Sequence, residues 1–422
     1  MLVHGGRSLQ GEVFIGGSKN SALPILAATL LTRDRCIIEH VPDLSDIHYM
    51  LTILNTLGCE VERASGVVQV RAENIKTEAP YEIVRKMRAS VCILGPLLGR
   101  KHAATVSLPG GCVIGDRPID LHLRGFEALG ATVQVKGGDI HILAPHLHGA
   151  TINLRGKYGP TVLGTGNIMM ASVLTEGTTV IEGAAEEPEV IDLAEVLIKM
   201  GAKIHGAGTS LVVVEGVKEL HGFTHTVIPD RIEAGTFLIA GALAGKKVTV
   251  HHAIPKHIDP LLKALAEIGF QITTKKESIT IAPALVKKPL TIETHPYPGF
   301  ATDLQAQLCA LLCTIEGVST ITETIFPQRF MHIAELKRMG ANIELDGATA
   351  TILGVNQLSA APVMASDLRA SAALVLAALA ADGITEINRV YHIDRGYDGI
   401  DKKLNKLGAH IERVAEKVTG NG

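Results

Sequence analysis

Tryptophan is absent, and aromatic residues of every kind make up 3% of the 422 residues. That scarcity excludes the stacked-ring platforms by which many proteins hold single-stranded nucleic acid. An excess of one charge is missing too: 40 lysines and arginines meet 43 aspartates and glutamates, for a net charge of −3. Coating a duplex needs a basic surface, so nucleic acid is not an expected partner. Six cysteines in a chain of this length are too few for a disulfide scaffold. The longest Ala/Leu-rich run, 370–381, has 12 residues, short of the ~18 or more of a membrane span. Met1–Arg7 has no charged leader running into an apolar core, so no secretory signal is read there. These absences leave a soluble, cytoplasmic protein of two or three domains, with no membrane partner.

What is present is a repeat. A bulky apolar residue, a glycine and the start of an alternating strand recur at Gly58, Gly130, Gly201, Gly269, Gly340 and Gly408, spaced by 72, 71, 68, 71 and 68 residues. Each glycine follows a helix-period segment such as Asp192–Met200, where a left-handed residue ends the helix. Each unit also holds a second helix, apolar nearly all round, as in 236–244, 304–315 and 368–381. Such helices belong inside. Units of ~70 residues are too long for a solenoid. Six units of helices among strands suggest an α/β fold with sheets outside and helices inside, three units per domain, broken near 227–230. An ordinary wound α/β protein with a coincidental motif is the plainer alternative. The Gly-rich tail 419–422 is expected to fray.

Three groups of residues suggest chemistry. In Gly16-Gly17-Ser18-Lys19-Asn20 the P-loop spacing fails. Lys19 still stands before an apolar helix starting near Ser21, either as an anion site or as a solvated turn lysine. Leu108-Pro109-Gly110-Gly111-Cys112 puts a thiol on a glycine turn, with Arg117 five residues on. A thiol of pKa near ~8.5 can donate a proton at neutral pH, and a nearby arginine makes it a reactive thiolate. Cys36, Cys59, Cys92, Cys309 and Cys313 sit in apolar contexts and are read as core. The third group gathers arginines at turns: Arg88-Ala89-Ser90 and its twin Arg369-Ala370-Ser371, Arg117, Arg329, and Asp394-Arg395. Arginine there pairs with carboxylate or phosphate, in a substrate or in a structural ion pair. Asp303 at another helix start is a base or an N-cap. Among eighteen histidines no metal-binding spacing appears, so no metal is assigned. There is no nucleophile elbow and no dinucleotide fingerprint.

Taken together, the motifs resemble one family. They are Gly-Ser-Lys19-Asn20-Ser-Ala-Leu-Pro, Lys-Met-Arg88-Ala-Ser and Leu-Pro-Gly-Gly-Cys112-Val-Ile-Gly-Asp-Arg117-Pro118-Ile119-Asp120-Leu121-His122. Pro-Asp230-Arg231-Ile-Glu233, Thr-Asp303-Leu-Gln-Ala-Gln, Arg329-Phe-Met-His332, Ser-Asp367-Leu-Arg369-Ala-Ser and Tyr-His392-Ile-Asp394-Arg395-Gly-Tyr complete the set. The chain is similar to the UDP-N-acetylglucosamine 1-carboxyvinyltransferase family of enolpyruvyl transferases. The resemblance implies two inside-out α/β barrel domains of three repeats each, with the active site in the cleft between them. It implies domains at 20–228 and at 1–19 plus 229–422. The implied reaction opens peptidoglycan precursor synthesis, ties the chain to cell-wall growth and division, and needs no cofactor. It moves the enolpyruvyl group of phosphoenolpyruvate onto the 3-hydroxyl of UDP-N-acetylglucosamine and releases phosphate.

By the same resemblance Lys19, Asn20, Arg117, Arg369 and Arg395 hold phosphoenolpyruvate. Cys112 is the general acid and the target of covalent epoxide inhibitors, Asp303 takes the hydroxyl proton, and Lys19 and Arg395 join them in catalysis. Arg88, Arg117, Pro118, Ile119, Asp120, Leu121, Lys157, Tyr158, Gly159, Pro160, Asp303 and Ile325 contact the nucleotide sugar. Arg329 and Asp367 support the site. The chain departs from the family pattern at Lys157-Tyr158-Gly159-Pro160, where Lys-x-Ser-Val is usual, and at Phe326-Pro327-Gln328, where Glu-Asn is usual. The sister shikimate-using enolpyruvyl transferase lacks the Pro-Gly-Gly-Cys loop. A catalytically silent nucleotide-sugar binder would have no need of Cys112, Asp303, Lys19 and Arg395 together.

Overall fold

The structure is a computed structural model describing residues 1–108 and 119–414. Six four-stranded sheets share one topology. In each, a first strand runs parallel to a second, and the third and fourth follow antiparallel. In the first sheet these strands are Thr224–Thr226, Arg35–Glu39, Val67–Arg71 and Glu60–Ala64. In the fourth they are Leu9–Phe14, Gly245–His251, Ser278–Ala282 and Gln271–Lys275. Burial alternates along the strands, as in Val67–Arg71 and Leu211–Glu215, so one face of each sheet meets helices and the other meets water. The sheets are not hydrogen-bonded to one another among the described residues, so the wall they form is segmented rather than a continuous barrel.

The six repeat glycines end their helices as expected: their φ angles all lie between 86° and 121°. A side chain there would be strained. The helices they terminate are amphipathic. In Asp259–Ile268 the buried residues are Leu261, Leu262, Ala264, Leu265 and Ile268, a single stripe. The other helix of each unit is buried all round: every residue from Ile232 to Ala242 in Arg231–Ala244, and from Arg369 to Leu379 in Leu368–Ala380. These inner helices pack against each other, Leu94–Lys101 on Val162–Ser172 and Gln305–Leu312 on Leu368–Ala380. Glycine permits the approach: a Cβ on Gly95 would lie 2.3 Å from the Asn167 carbonyl oxygen. The ends differ slightly from the sequence expectation. The first inner helix begins at Lys19, and the fifth runs only over Gln305–Leu312.

The apolar core is double. One cluster draws on residues 22–227; the other on 1–15 together with 232–411. The N-terminal strands Leu2–His4 and Leu9–Phe14 lie in sheets of the second cluster. The chain therefore passes between clusters twice, and the two crossings are paired. Gly17 bridges Pro229, Ser18 N donates to Ile228 O at 2.7 Å, and Asp230 N to Gly16 O at 2.9 Å. Only glycine fits at 17, where a Cβ would sit 1.8 Å from the His40 carbonyl oxygen. No helix among the described residues is long and apolar enough to cross a membrane.

Candidate active site

Beside the crossings two helix starts meet. Asp230 caps Arg231–Ala244 by accepting from the N–H groups of Ile232 and Glu233, both at 2.9 Å. Its other oxygen accepts from the Lys19 N–H at 3.2 Å. Lys19 is thus anchored by its backbone and buried, and its Nζ reaches Asp46 Oδ2 at 3.2 Å. Asp46 is buried in the first turn of the helix Ser45–Thr56. Its second oxygen accepts from Arg395 Nε at 3.0 Å. Arg395 closes the short turn Val390–Arg395, which packs with the second core, whereas Lys19 and Asp46 adjoin the first. The ion pair therefore spans the two halves. Burial draws the Lys19 ammonium below the usual lysine range; Asp46 opposes that shift, and Arg369 and Arg395 add to it.

Across from this pair stands Asp303, in the turn Thr302–Leu304 at the head of an inner helix. Its oxygens accept from Arg329 Nη1 at 2.7 Å and Arg369 Nη2 at 3.1 Å. Burial alone would raise its pKa, but the Arg369 and Arg329 guanidiniums, with Lys19 behind them, hold the carboxyl well below the usual range. Arg329 Nη1 also donates to Thr302 Oγ1 at 3.0 Å, and Thr302 Oγ1 to Glu323 Oε2 at 2.9 Å. Glu323, itself buried, accepts from the backbone N–H groups of Ile325 and Phe326 and so fixes that loop. The Arg369 guanidinium lies 5.4 Å from the centre of the Tyr397 ring. The Tyr397 hydroxyl is in turn held by Thr236 and Gln307. Arg369 Nη1 is buried without a hydrogen-bond partner among the described residues.

The ion-paired set holds four cations, Lys19, Arg329, Arg369 and Arg395, against two carboxylates, Asp46 and Asp303. Its surplus of positive charge suits a ligand with more than one negative charge. Asp303 is no N-cap: its side chain faces the arginines. Asp367 is one, accepting from the N–H groups of Arg369 and Ala370 at 2.9 and 3.0 Å. Asp367 thus fixes the start of the helix that carries Arg369. Lys19 is neither a solvated turn lysine nor alone on a helix end, because Asp46 already faces it.

The remaining expected residues fall into neighbouring places. Asn20 is half-buried in the turn that Lys19 begins. Arg88 opens the turn Arg88–Ile93 and acts electrostatically on buried His122, whose pKa burial, and then Arg88, lower to about 4. Ile119 precedes the helix Asp120–Ala128, and Leu121 packs against Gly156, where a Cβ would meet its Cδ1 at 3.0 Å. Gly156 and Gly159 pair in a small hairpin, with Lys157 Nζ over the Tyr158 ring at 5.0 Å and Pro160 opposite Arg155. A Cβ on Gly159 would lie 2.7 Å from Pro296 Cγ, so this hairpin abuts the second half. Ile325 sits in the loop that Glu323 orders. Cys112, Arg117 and Pro118 lie outside the described residues, as does the tail 419–422. The other five cysteines are all buried.

Sequence reasoning missed Asp46 and Glu323. An acid in a first helical turn reads as ordinary complement to the helix dipole, and Glu323 follows a strand with no turn signal. It also missed the buried pair of Arg231 Nε with Glu189 Oε1 at 2.9 Å. That pair joins the start of the fourth inner helix to the helix Pro188–Lys199 of the first half.

Comparison with known proteins agrees with this geometry. The family model described as EPSP synthase (3-phosphoshikimate 1-carboxyvinyltransferase) matches residues 3–404. A UDP-N-acetylglucosamine 1-carboxyvinyltransferase of Akkermansia muciniphila is 56% identical over 419 residues, covering 99% of each chain. One of Methylacidiphilum infernorum is 55% identical over 417 residues, again covering 99% of each. The crystal structure of the enolpyruvyl transferase NikO from Streptomyces tendae superposes with a TM-score of 0.88 at 26% identity, over 97% of both chains. An EPSP synthase from Acinetobacter baumannii shares the fold, with a TM-score of 0.74 at 17% identity over 98% of this chain and 99% of that one. With six repeats, a charged cluster spanning the two halves and full-length relatives in agreement, the chain belongs to the enolpyruvyl transferase family, among the UDP-N-acetylglucosamine 1-carboxyvinyltransferases.

Proposed function

We infer that the protein transfers the enolpyruvyl group of phosphoenolpyruvate to the 3-hydroxyl of UDP-N-acetylglucosamine, releasing phosphate, as a cytoplasmic step of peptidoglycan synthesis. The observation that carries the site assignment is Asp303, held ionised between Arg329 and Arg369 within reach of the Lys19–Asp46–Arg395 group. In this reading Lys19, Arg395, Arg369 and Arg117, with Asn20, receive the carboxylate and phosphate of the donor. Arg88, the 117–121 segment, the 157–160 hairpin and Ile325 receive the nucleotide sugar. The Cys112 thiol gives its proton to the methylene carbon. Positive charge then develops on the adjacent carbon, and the sugar oxygen bonds to it. The hydroxyl proton becomes acidic as that bond forms, so a carboxylate that is a weak base at rest can still take it. The tetrahedral intermediate then returns a proton from its methyl group, its carbon–oxygen bond to phosphate breaks, and the enol ether is restored.

The reading includes a division into two three-repeat domains, 20–228 and 1–19 with 229–422. The separate cores and the paired crossings support it. The test is phosphate release on mixing the protein with both substrates, with shikimate 3-phosphate as the control acceptor. Release with the nucleotide sugar alone is expected; release with shikimate 3-phosphate, or none with either, overturns the reading. Cys112→Ser should slow turnover by about 10²-fold or more and abolish the mass gain produced by an epoxide inhibitor.

A further inference from the structure

We propose that His4, His410 and Glu412 form a binding site for a first-row divalent transition metal ion, such as zinc, on the outer face of the sixth sheet. His4 and His410 stand directly opposite each other on antiparallel strands. Their imidazoles stack with centroids 3.8 Å apart and planes 13° from parallel. Glu412 lies two residues beyond His410 on the same face. Its Oε1 is 2.9 Å from His410 Nε2 and 3.6 Å from His4 Nε2. One ligand atom from each residue can be chosen so that all lie within 4.8 Å of one another. Zinc–nitrogen and zinc–oxygen bonds of ~2.0–2.2 Å put the donors of one tetrahedral ion roughly 3.3–3.5 Å apart. The donors are close enough for one ion, and the stacked rings must turn out of their parallel arrangement to aim both lone pairs at it. Two imidazoles and a carboxylate are the donors that zinc, nickel and copper prefer, and they leave a position for water. The side chains are 26%, 41% and 49% exposed, so an ion can enter. The 405 residues between the two histidines explain why spacing gave no metal signal.

The fold gives such an ion a structural task. In the other five sheets the third and fourth strands are joined by a short turn, as Ser278–Ala282 is to Gln271–Lys275. In the sixth sheet the third strand is Leu2–His4 and the fourth is His410–Glu412. No turn links them, and only three residues pair on each side. An ion held by His4 and His410 would cross-link the strands where the other sheets have covalent continuity.

The probe is Zn²⁺ alone, titrated calorimetrically in a non-coordinating buffer into the full chain and into His4→Gln, His410→Gln and Glu412→Gln. One site with a dissociation constant on the order of micromolar is expected in the unaltered protein, weakened about tenfold or more by either histidine variant. Zn²⁺ should also slow amide exchange in residues 2–4 and 410–412, in the unaltered protein only. Copper-loaded protein should show two coordinating nitrogens by electron paramagnetic resonance, a readout independent of the variants' folding. Equal binding by all four proteins, or no binding below about 1 mM, overturns the proposal.

Discussion

Asp303 and Lys19 are both perturbed, for opposite reasons. Asp303 is kept ionised by two guanidiniums that outweigh its burial, and Lys19 is discouraged from ionising by burial that Asp46 only partly offsets. Replacing Asp303 by Asn should lower kcat by about 10²–10⁴-fold, with a much smaller effect on nucleotide-sugar KM, because the acceptor proposed for the hydroxyl proton is lost. Steady-state kinetics checks this, and a change confined to KM would remove the base role. Asp46→Asn removes the carboxylate that is ion-paired to Lys19 among the described residues, so the Lys19 pKa falls further. The alkaline limb of the kcat/KM profile for the enolpyruvyl donor should then move to lower pH; an unmoved limb would show that Lys19 does not control it. Lys19, Arg369 and Asp303 were legible because each stands at the start of an apolar helix, and Arg329 because it stands at a turn before an amphipathic one. Asp46 was not, because nothing in Ser45-Asp46-Ile47 separates a counter-ion from a routine helix start.

Elements carry these residues by their ends. Asp367 holds the first free N–H groups of Leu368–Ala380, the helix that places Arg369. Asp367→Ala should cost about 1–2 kcal/mol of stability, and Asp367→Ser should recover most of it, as read from denaturant midpoints. Gly17 is an element-scale residue as well, since its missing side chain lets the crossing lie against His40. Gly17→Ala should destabilise by about 2–4 kcal/mol or prevent folding. Helix type and glycine termini were readable from periodicity. The Gly16-Gly17 pair was not: a turn lysine and an anion loop share its spelling, and only the approach of a distant carbonyl separates them from a crossing.

The whole molecule repeats one solution six times, and two of the repeats, one in each half, carry a weakness to acid. His122 and His332 lie in the second and fifth amphipathic helices, one in each half, buried and with pKa values lowered to about 4. Burial is the main cause for both; Arg88 adds to it for His122, while for His332 Asp367 opposes it and Arg329 adds. Unfolded, each would bind a proton near pH ~6.5. Between about pH 6.5 and 4 the unfolded chain holds more protons, so stability falls as pH falls through that window, by up to about 3 kcal/mol per histidine. Unfolding midpoints from pH 7 to 4.5 should drop accordingly, and His122→Gln with His332→Gln should flatten the slope. A slope unaffected by both changes would place the sensitivity elsewhere. The six-fold count was visible in the glycine spacing. The partners across the two halves were not, because nothing in the sequence aligns residue 46 with residue 395.

The paired crossings have a practical corollary. The stretch feeding the first core enters and leaves through neighbouring backbone, with Ser18 bonded to Ile228 and Gly16 to Asp230. It is topologically an insertion, hung on the remainder by two adjacent threads. Excising it should therefore leave two ends that a linker of about two or three residues could rejoin, and one proteolytic nick in either thread would not set the halves adrift.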